Sequence, residues 1–403
     1  MKKTFRERAQ QLGHSLDMLD AGMTVTTTIT VNTVDDLKKA VRMFLGDDQP
    51  PDLATQLFGD IPLGDPEVDG TAEGTLRRVN EFVYGNSDLH PKDRERIKSA
   101  FPLDIEATSA EPYTPTAPVL IHNPVKPQHF NYGTVTLNQG IYINIYNTVV
   151  TMFTMDNLVR NGDNGNPNIG DINIFGATGT SPGMGATGAV GPTGTAGTSS
   201  SCTVSGSEPG DAGGPGGTGG TGITGGPGDN GGTGQPSMQA IFTINDSITS
   251  ANPVLFFTRS GTGGSGGQGG RGGTGGRGGD GAGGATCECT GTNGGNAGNG
   301  GTGGTGGRGG DAGNAVNAAG NITVNLPKAY QNKVTKNEVD ANPGNYGEGG
   351  PPGAGGGPGN AGGAGKHCNG GATGNNGVQG AIGDHGNSSS VTGKKATITF
   401  SVF

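Results

Sequence analysis

The side chains best able to bind metal or attack an electrophile are four cysteines, Cys202, Cys287, Cys289 and Cys368, and six histidines, His14, His90, His122, His129, His367 and His385. The cysteines admit three readings. Two disulfides would staple a chain that has little apolar core, and four cysteines allow three pairings. Four thiolates could instead hold a structural zinc ion with His367 as a spare donor, although one C-x-C and two single cysteines are not the paired C-x-x-C pattern of strong zinc sites. Free thiols are the third reading. The histidines are dispersed, and they form no Ser/His/Asp or Cys/His arrangement with the residues around them. Glycine-rich strings such as 269–273 lack the preceding strand, the following helix and the Lys-Ser/Thr of a phosphate loop. Residues 148–157 and 245–247 suit a β edge and a turn better than a calcium loop. The sequence therefore reads as a non-enzyme with no cofactor.

These residues sit in a chain of unusual make-up. Of 403 residues, 86 are Gly and 24 Pro, none is Trp, and 30% are hydrophobic. That is too little for one Leu/Ile/Val core along the whole length. Only 15% are charged, and the glycine is phased rather than scattered. From Gly176 onward it recurs every third residue in six runs: 176–197, 210–234, 262–280, 293–311, about 347–365 and about 369–387. Runs three and four read x-Gly-Gly, with x as Thr262, Ser265, Gln268, Arg271, Thr274, Arg277 and Asp280, then Asn293 through Asp311. A period of three is that of polyproline-II geometry, three residues per turn at about 3.1 Å each. Collagen needs long Pro-rich tracts, and a flexible linker needs no phase.

A glycine column lets a neighbouring run approach until backbone N–H and C=O groups pair. Runs three and four, with two such columns, are expected inside, and runs one and six outside. If successive runs alternate in direction, all four cysteines fall at one end. The apolar segments 172–175, 241–244, 254–257, 322–324 and 398–400 then gather at the other.

The first 105 residues have ordinary composition and read as a small mixed domain for attachment or assembly. Phe5, Ala9, Leu12, Leu16 and Leu19 are helically spaced, and Met23 to Val31 alternate as a strand. Thr33 can cap a second helix, and further helices are expected over about 71–84 and 88–100, with Pro91 in a first turn. Pro112, Pro115, Pro118 and Pro124 mark residues 106–130 as an extended connector. Residues 131–175 read as β-rich, with a hairpin turning at Asn138-Gln-Gly140. The expected fold is thus a small α+β amino-terminal domain, a Pro-rich linker, a β-rich segment and, over 176–403, a bundle of about six antiparallel polyglycine-II helices with short strands at one end.

Loops on a rigid scaffold commonly carry recognition. The turns at 199–207, 286–292 and 366–369 are therefore the first binding candidates, through Thr203, Glu288, Asn293, Lys366, His367 and Asn369, with Arg271, Arg277 and Arg308 behind them. A surface glycan or a protein receptor suits such polar groups. A net charge of -9 disfavours nucleic acid, and no run approaches the roughly 20 apolar residues of a membrane span. The amino terminus, charged at both ends, has no secretory-signal pattern.

Tracts such as Gly300-Gly-Thr-Gly-Gly-Thr-Gly-Gly-Arg-Gly-Gly-Asp-Ala-Gly-Asn resemble those of polyglycine-II proteins. The plan is similar to that of the receptor-binding adhesins at the tail-fibre tips of T-even-like phages, an attachment domain followed by glycine-rich helices whose end loops contact the host. Six antiparallel helices with disulfides also resemble snow flea antifreeze protein, and the tract composition that of mycobacterial PE_PGRS proteins. The resemblance covers 176–387. It implies a virion or extracellular surface location, a receptor at the loops, and a fibre or assembly protein at the amino-terminal domain. A self-assembling structural or filament protein, with the chain itself as partner, is the alternative. Ice binding would need a flat Thr/Ala face, against which the Arg and Asp of the exposed columns argue.

Overall fold

A computed structural model of the chain describes residues 3–46, 50, 52–59, 63–123, 125–146, 149–203, 211–288 and 290–403. Cys289, Pro124, Thr148, Gly210 and the 204–207 part of the first turn lie outside the described residues.

Local sequence sets the helices. α1 (Phe5–Gln11) is capped by Thr4 and Glu7 in a reciprocal box, and α2 (Leu16–Asp20) by Ser15. The expected single helix over 5–19 is in fact these two, because Gly13 turns the chain with φ 75°. β1 (Val25–Val31) follows. Thr33 accepts from Asp36 N–H to start α3 (Val34–Leu45), and Thr71 from Gly74 N–H to start α5 (Ala72–Tyr84). α4 (Leu53–Phe58), with no side-chain cap of its own, gives little sign in the sequence. α6 (Pro91–Ile97) begins at the proline.

Eleven further strands are β2 (Leu103–Ala110), β3 (Val119–Ile121), β4 (Gln128–Leu137), β5 (Ile143–Ile145), β6 (Thr151–Arg160), β7 (Ile172–Phe175), β8 (Ala240–Ser250), β9 (Val254–Arg259), β10 (Ile322–Leu326), β11 (Val334–Val339) and β12 (Ile398–Val402). They form a seven-stranded sheet, β1-β2-β4-β6-β8-β10-β12, and a five-stranded sheet, β11-β9-β7-β5-β3. Only the β1–β2 pair is antiparallel. From β2 onward the chain visits the two sheets alternately, so each coil lays one strand in either sheet. Between them lies the main core. Phe130, Phe153 and Phe242 stand side by side on adjacent strands, stacked at 4.5 and 5.0 Å, and Phe256 of the facing sheet meets Phe242 edge-on at 5.3 Å. Such pairs add about 0.5–1.5 kcal/mol each beyond their burial. The other face of the large sheet is covered by helices: Phe44, Leu53, Leu57 and Val79 pack with Ile105, Met152 and Ile241.

This architecture corrects the expected fold class. The protein is a mixed α/β fold built on a seven-stranded mixed sheet and a five-stranded parallel sheet, not a bundle of polyglycine-II helices with small β caps. The apolar segments taken as end caps join strands from residues 103–175 to make two full sheets, and these hold the core. The Pro-rich stretch is no linker, since it runs between β2 and β4 and contributes β3; proline is tolerated where the chain passes between strands. Nor is there a hairpin at Asn138-Gln-Gly140, because β4 and β5 belong to different sheets. Alternation identifies a strand without saying which neighbour it pairs with.

The glycine tracts carry neither helix nor strand. They are three long excursions, between β7 and β8, β9 and β10, and β11 and β12. Each goes out and returns, and backbone bonds tie the six arms side by side. Gly188 N–H donates to Arg271 C=O, Gly225 to Thr305, Gly273 to Ile223 and Gly304 to Gly273, all within 2.9 Å, and the pattern repeats every three residues. Consecutive arms run antiparallel and alternate arms parallel. Arms one, three and five thus extend the plane of the small sheet, and arms two, four and six that of the large one. Arms three and four each bond to four others. A Cβ at Gly273 would overlap the Ala189 carbonyl, and one at Gly304 the Ile223 carbonyl.

Candidate functional site

The out-and-back course brings the turns 199–203, 285–292 and 366–369 together at the far end of the glycine slab. The whole length of run one, residues 176–197, separates this tip from the sheets. The second turn is closed on itself: Cys287 N–H donates to Thr290 C=O at 2.8 Å, and Ala285 N–H to Thr292 Oγ1 at 2.8 Å. Ser200 Oγ donates to Gly283 C=O, pinning the first turn to the third arm. A disulfide between Cys202 and Cys287, with Cα atoms 5.8 Å apart, joins the first turn to the second. Lys366 Nζ donates to Glu288 C=O at 3.3 Å, drawing the third turn onto the second.

Of the four cysteines, Cys202 and Cys287 are therefore consumed in a disulfide, and their sulfurs are not free as thiolate ligands for zinc. Cys368 is a free, half-buried thiol, and Cys289 is outside the described residues. Among the described residues no group of three His, Cys, Asp or Glu side chains could hold a metal ion.

His367 is the residue that departs most from what backbone sterics favour. It has φ 57°, the only non-glycine in the left-handed region among the described residues. Its side chain is exposed, as are those of Lys366, Asn369 and Glu288. Thr203 adjoins the disulfide.

Three expected binding residues serve other ends. Asn293 Oδ1 accepts from Asn369 N–H at 3.0 Å. The same is done by Asn296 for Ala372, Asn299 for Asn375, Asp311 for Asn387 and, on the other face, Asp280 for Asn360. The polar column thus supplies acceptors to backbone N–H groups that the glycine bonds leave over. Asp280 and Asp311 carboxyls are held below the usual carboxylate range first by these N–H donors. Arg277 pairs with Asp280 at 2.8 Å and Arg308 with Asp311, each one three-residue step away. Arg271 is exposed and has no ion pair among the described residues. Arg308 lies on the fourth arm, toward the sheet end and on the opposite face of the slab from Arg271 and Arg277, so the three arginines do not form one patch behind the tip. Three-residue spacing revealed the column but not the work of its Asn and Asp oxygens.

At the other end, a buried polar chain fixes the amino terminus. Arg8 donates to Asn131 Oδ1 at 2.7 Å and pairs with Asp156 at 2.8 Å. Asn131 Nδ2 donates to Ser109 Oγ, which lies 2.7 Å from His14 Nδ1, and His14 Nε2 lies 2.9 Å from Thr27 Oγ1. His129 stacks on Phe44 at 4.3 Å. Burial, with the positive charge of Arg8 next, pushes its imidazole down to about 3. Burial lowers His14 as well. His129 is a neutral packing group, His14 bridges Ser109 and Thr27, and neither lines the tip.

No protein-family model, no curated protein and no solved structure matches this chain.

Proposed function

We propose that the protein is a non-enzymatic receptor-binding adhesin, with its recognition surface on the three turns at the slab tip. His367 is the observation that carries this reading. In a chain with 86 glycines, a left-handed position at the tip is filled by an exposed imidazole. Non-glycine residues in that region cost about 1–3 kcal/mol and cluster at active sites, ligand clamps and switch regions. Around it stand an ammonium at Lys366, the Glu288 carboxylate and the Asn369 amide, a donor and acceptor set suited to a surface glycan or a polar protein patch. The slab gives them reach, and the Cys202–Cys287 bond fixes two of the turns relative to each other. The sheet and helix end is left to join a fibre or assembly protein, which fits display on a virion or other extracellular surface.

A glycan array probed with the labelled full chain tests the reading. Signal on defined glycans should fall at least tenfold when Lys366→Ser and His367→Gly are combined, with a melting temperature no lower than that of the native chain. Equal signal from the double variant would overturn the tip as the recognition surface.

A further inference from the structure

The two lateral ends of the large sheet are finished differently. At the β12 end, Ile398 N–H donates to Glu338 Oε1 at 2.8 Å and Ile398 C=O accepts from Lys336 Nζ at 2.7 Å. Charged side chains of β11 therefore occupy the backbone groups of the first residue of that edge, a common guard against edge-to-edge pairing. At the opposite end β1 bonds to β2 on one side only, and its outward backbone groups have no partner among the described residues. Its sequence, Val25-Thr-Thr-Thr-Ile-Thr-Val31, contains no charge, proline or glycine.

We propose that β1 is a dimerisation edge whose occupant is β1 of a second copy of this chain, paired antiparallel about a two-fold axis through Thr28. This goes beyond the adhesin reading and does not depend on it. The strand is close to palindromic. Centred on Thr28, the self-pairing sets Val25 opposite Val31, Thr26 opposite Thr30, Thr27 opposite Ile29 and Thr28 opposite itself. Every cross-strand pair is then β-branched against β-branched, the pairing such positions favour. An isologous contact needs that self-complementarity, and most soluble oligomers use it. The burial pattern agrees. Val25, Thr27 and Ile29 face the helical side yet are only half-buried, because no strand lies beyond them. A second β1 would cover them and merge two seven-stranded sheets into one of fourteen.

Light scattering behind size exclusion, over about 1–100 µM of full-length chain, measures the dimer. Thr28 is exposed, so charge there spares the fold. Thr28→Lys puts two like charges opposite each other in the self-pair and should raise the dissociation constant at least tenfold. Thr28→Glu should do the same, with its melting temperature checked because Glu106 lies across β2. Mixing the two variants should restore dimers. Wild-type chain that is monomeric throughout the range would overturn the proposal. So would dimers that persist in both single variants, or a mixture that stays monomeric.

Discussion

At the scale of single residues, several side chains have roles that their types alone do not announce. His367→Gly should raise stability by about 1 kcal/mol, as strain at a positive φ is relieved, while glycan binding falls. Denaturant melts and the array measure the two separately. Asn299 is one of the acceptors for stray N–H groups. Its replacement by Ala should cost about 0.5–1.5 kcal/mol, whereas Asn299→Asp should be tolerated, since Asp311 already does this work. His129 sets a pH dependence. Its ordinary value of 6.5 applies in the unfolded chain, but burial holds it at about 3 in the folded one. The unfolded state therefore takes up a proton below pH 6.5 and the folded state does not. Stability is full above that pH and declines as pH drops toward 3, by up to about 1.4 kcal/mol per unit. Urea midpoints at pH 7.5 and 5.0 should show a smaller difference for His129→Phe, which keeps the ring on Phe44, than for the native chain.

At the scale of elements, glycine separates into two kinds. Gly273→Ala drives a methyl into the Ala189 carbonyl and should cost several kcal/mol, because backbone on both sides cannot yield. At Gly283, Gly357 and Gly363 a Cβ meets nothing within 4 Å. Alanine there should be neutral or stabilise by about 0.4–1 kcal/mol through the unfolded state. Thermal melts of the four variants check this contrast. The spacing also explains what could be read beforehand. Phase marks which segments lie side by side, and the turns around Cys202, Cys287 and Cys368 do share one end. Thr33, Thr71 and Pro91 announce their helices. The two-sheet core is hidden because prolines lie between β2 and β4, β3 and β5 are only three residues long, and strands consecutive in sequence fall in different sheets, so that β2 pairs with β4 and β3 with β5. At the tip, His367 was visible as a residue, whereas its backbone conformation was not. The Arg8–Asn131–Ser109–His14 chain has links spanning 123, 22 and 95 positions and leaves no local signal.

At the scale of the whole molecule, the disulfide closes a sequence separation of 85 residues. Chain entropy assigns such a loop about 4–5 kcal/mol. Reduction, or Cys202→Ser, should lower the denaturant midpoint accordingly and release the first turn. Removal of β1's capacity for self-pairing, in contrast, should leave the melting of a dilute sample unchanged. The slab itself has a further consequence. Its arms share one three-residue repeat, and every inner arm is bonded to four others. Its height is therefore quantised. Deleting one residue at Gly301 would rotate the rest of that arm by a third of a turn, swinging Thr302, Thr305 and Arg308 toward carbonyls that tolerate only glycine. Deleting the triplet 301–303 restores the phase after the cut but leaves this arm short of its neighbours. Removing one triplet from all six arms should give a folded protein whose tip stands one bonding step nearer the sheets. Insertions should obey the same arithmetic, so reach can change only in whole storeys, added to every arm together.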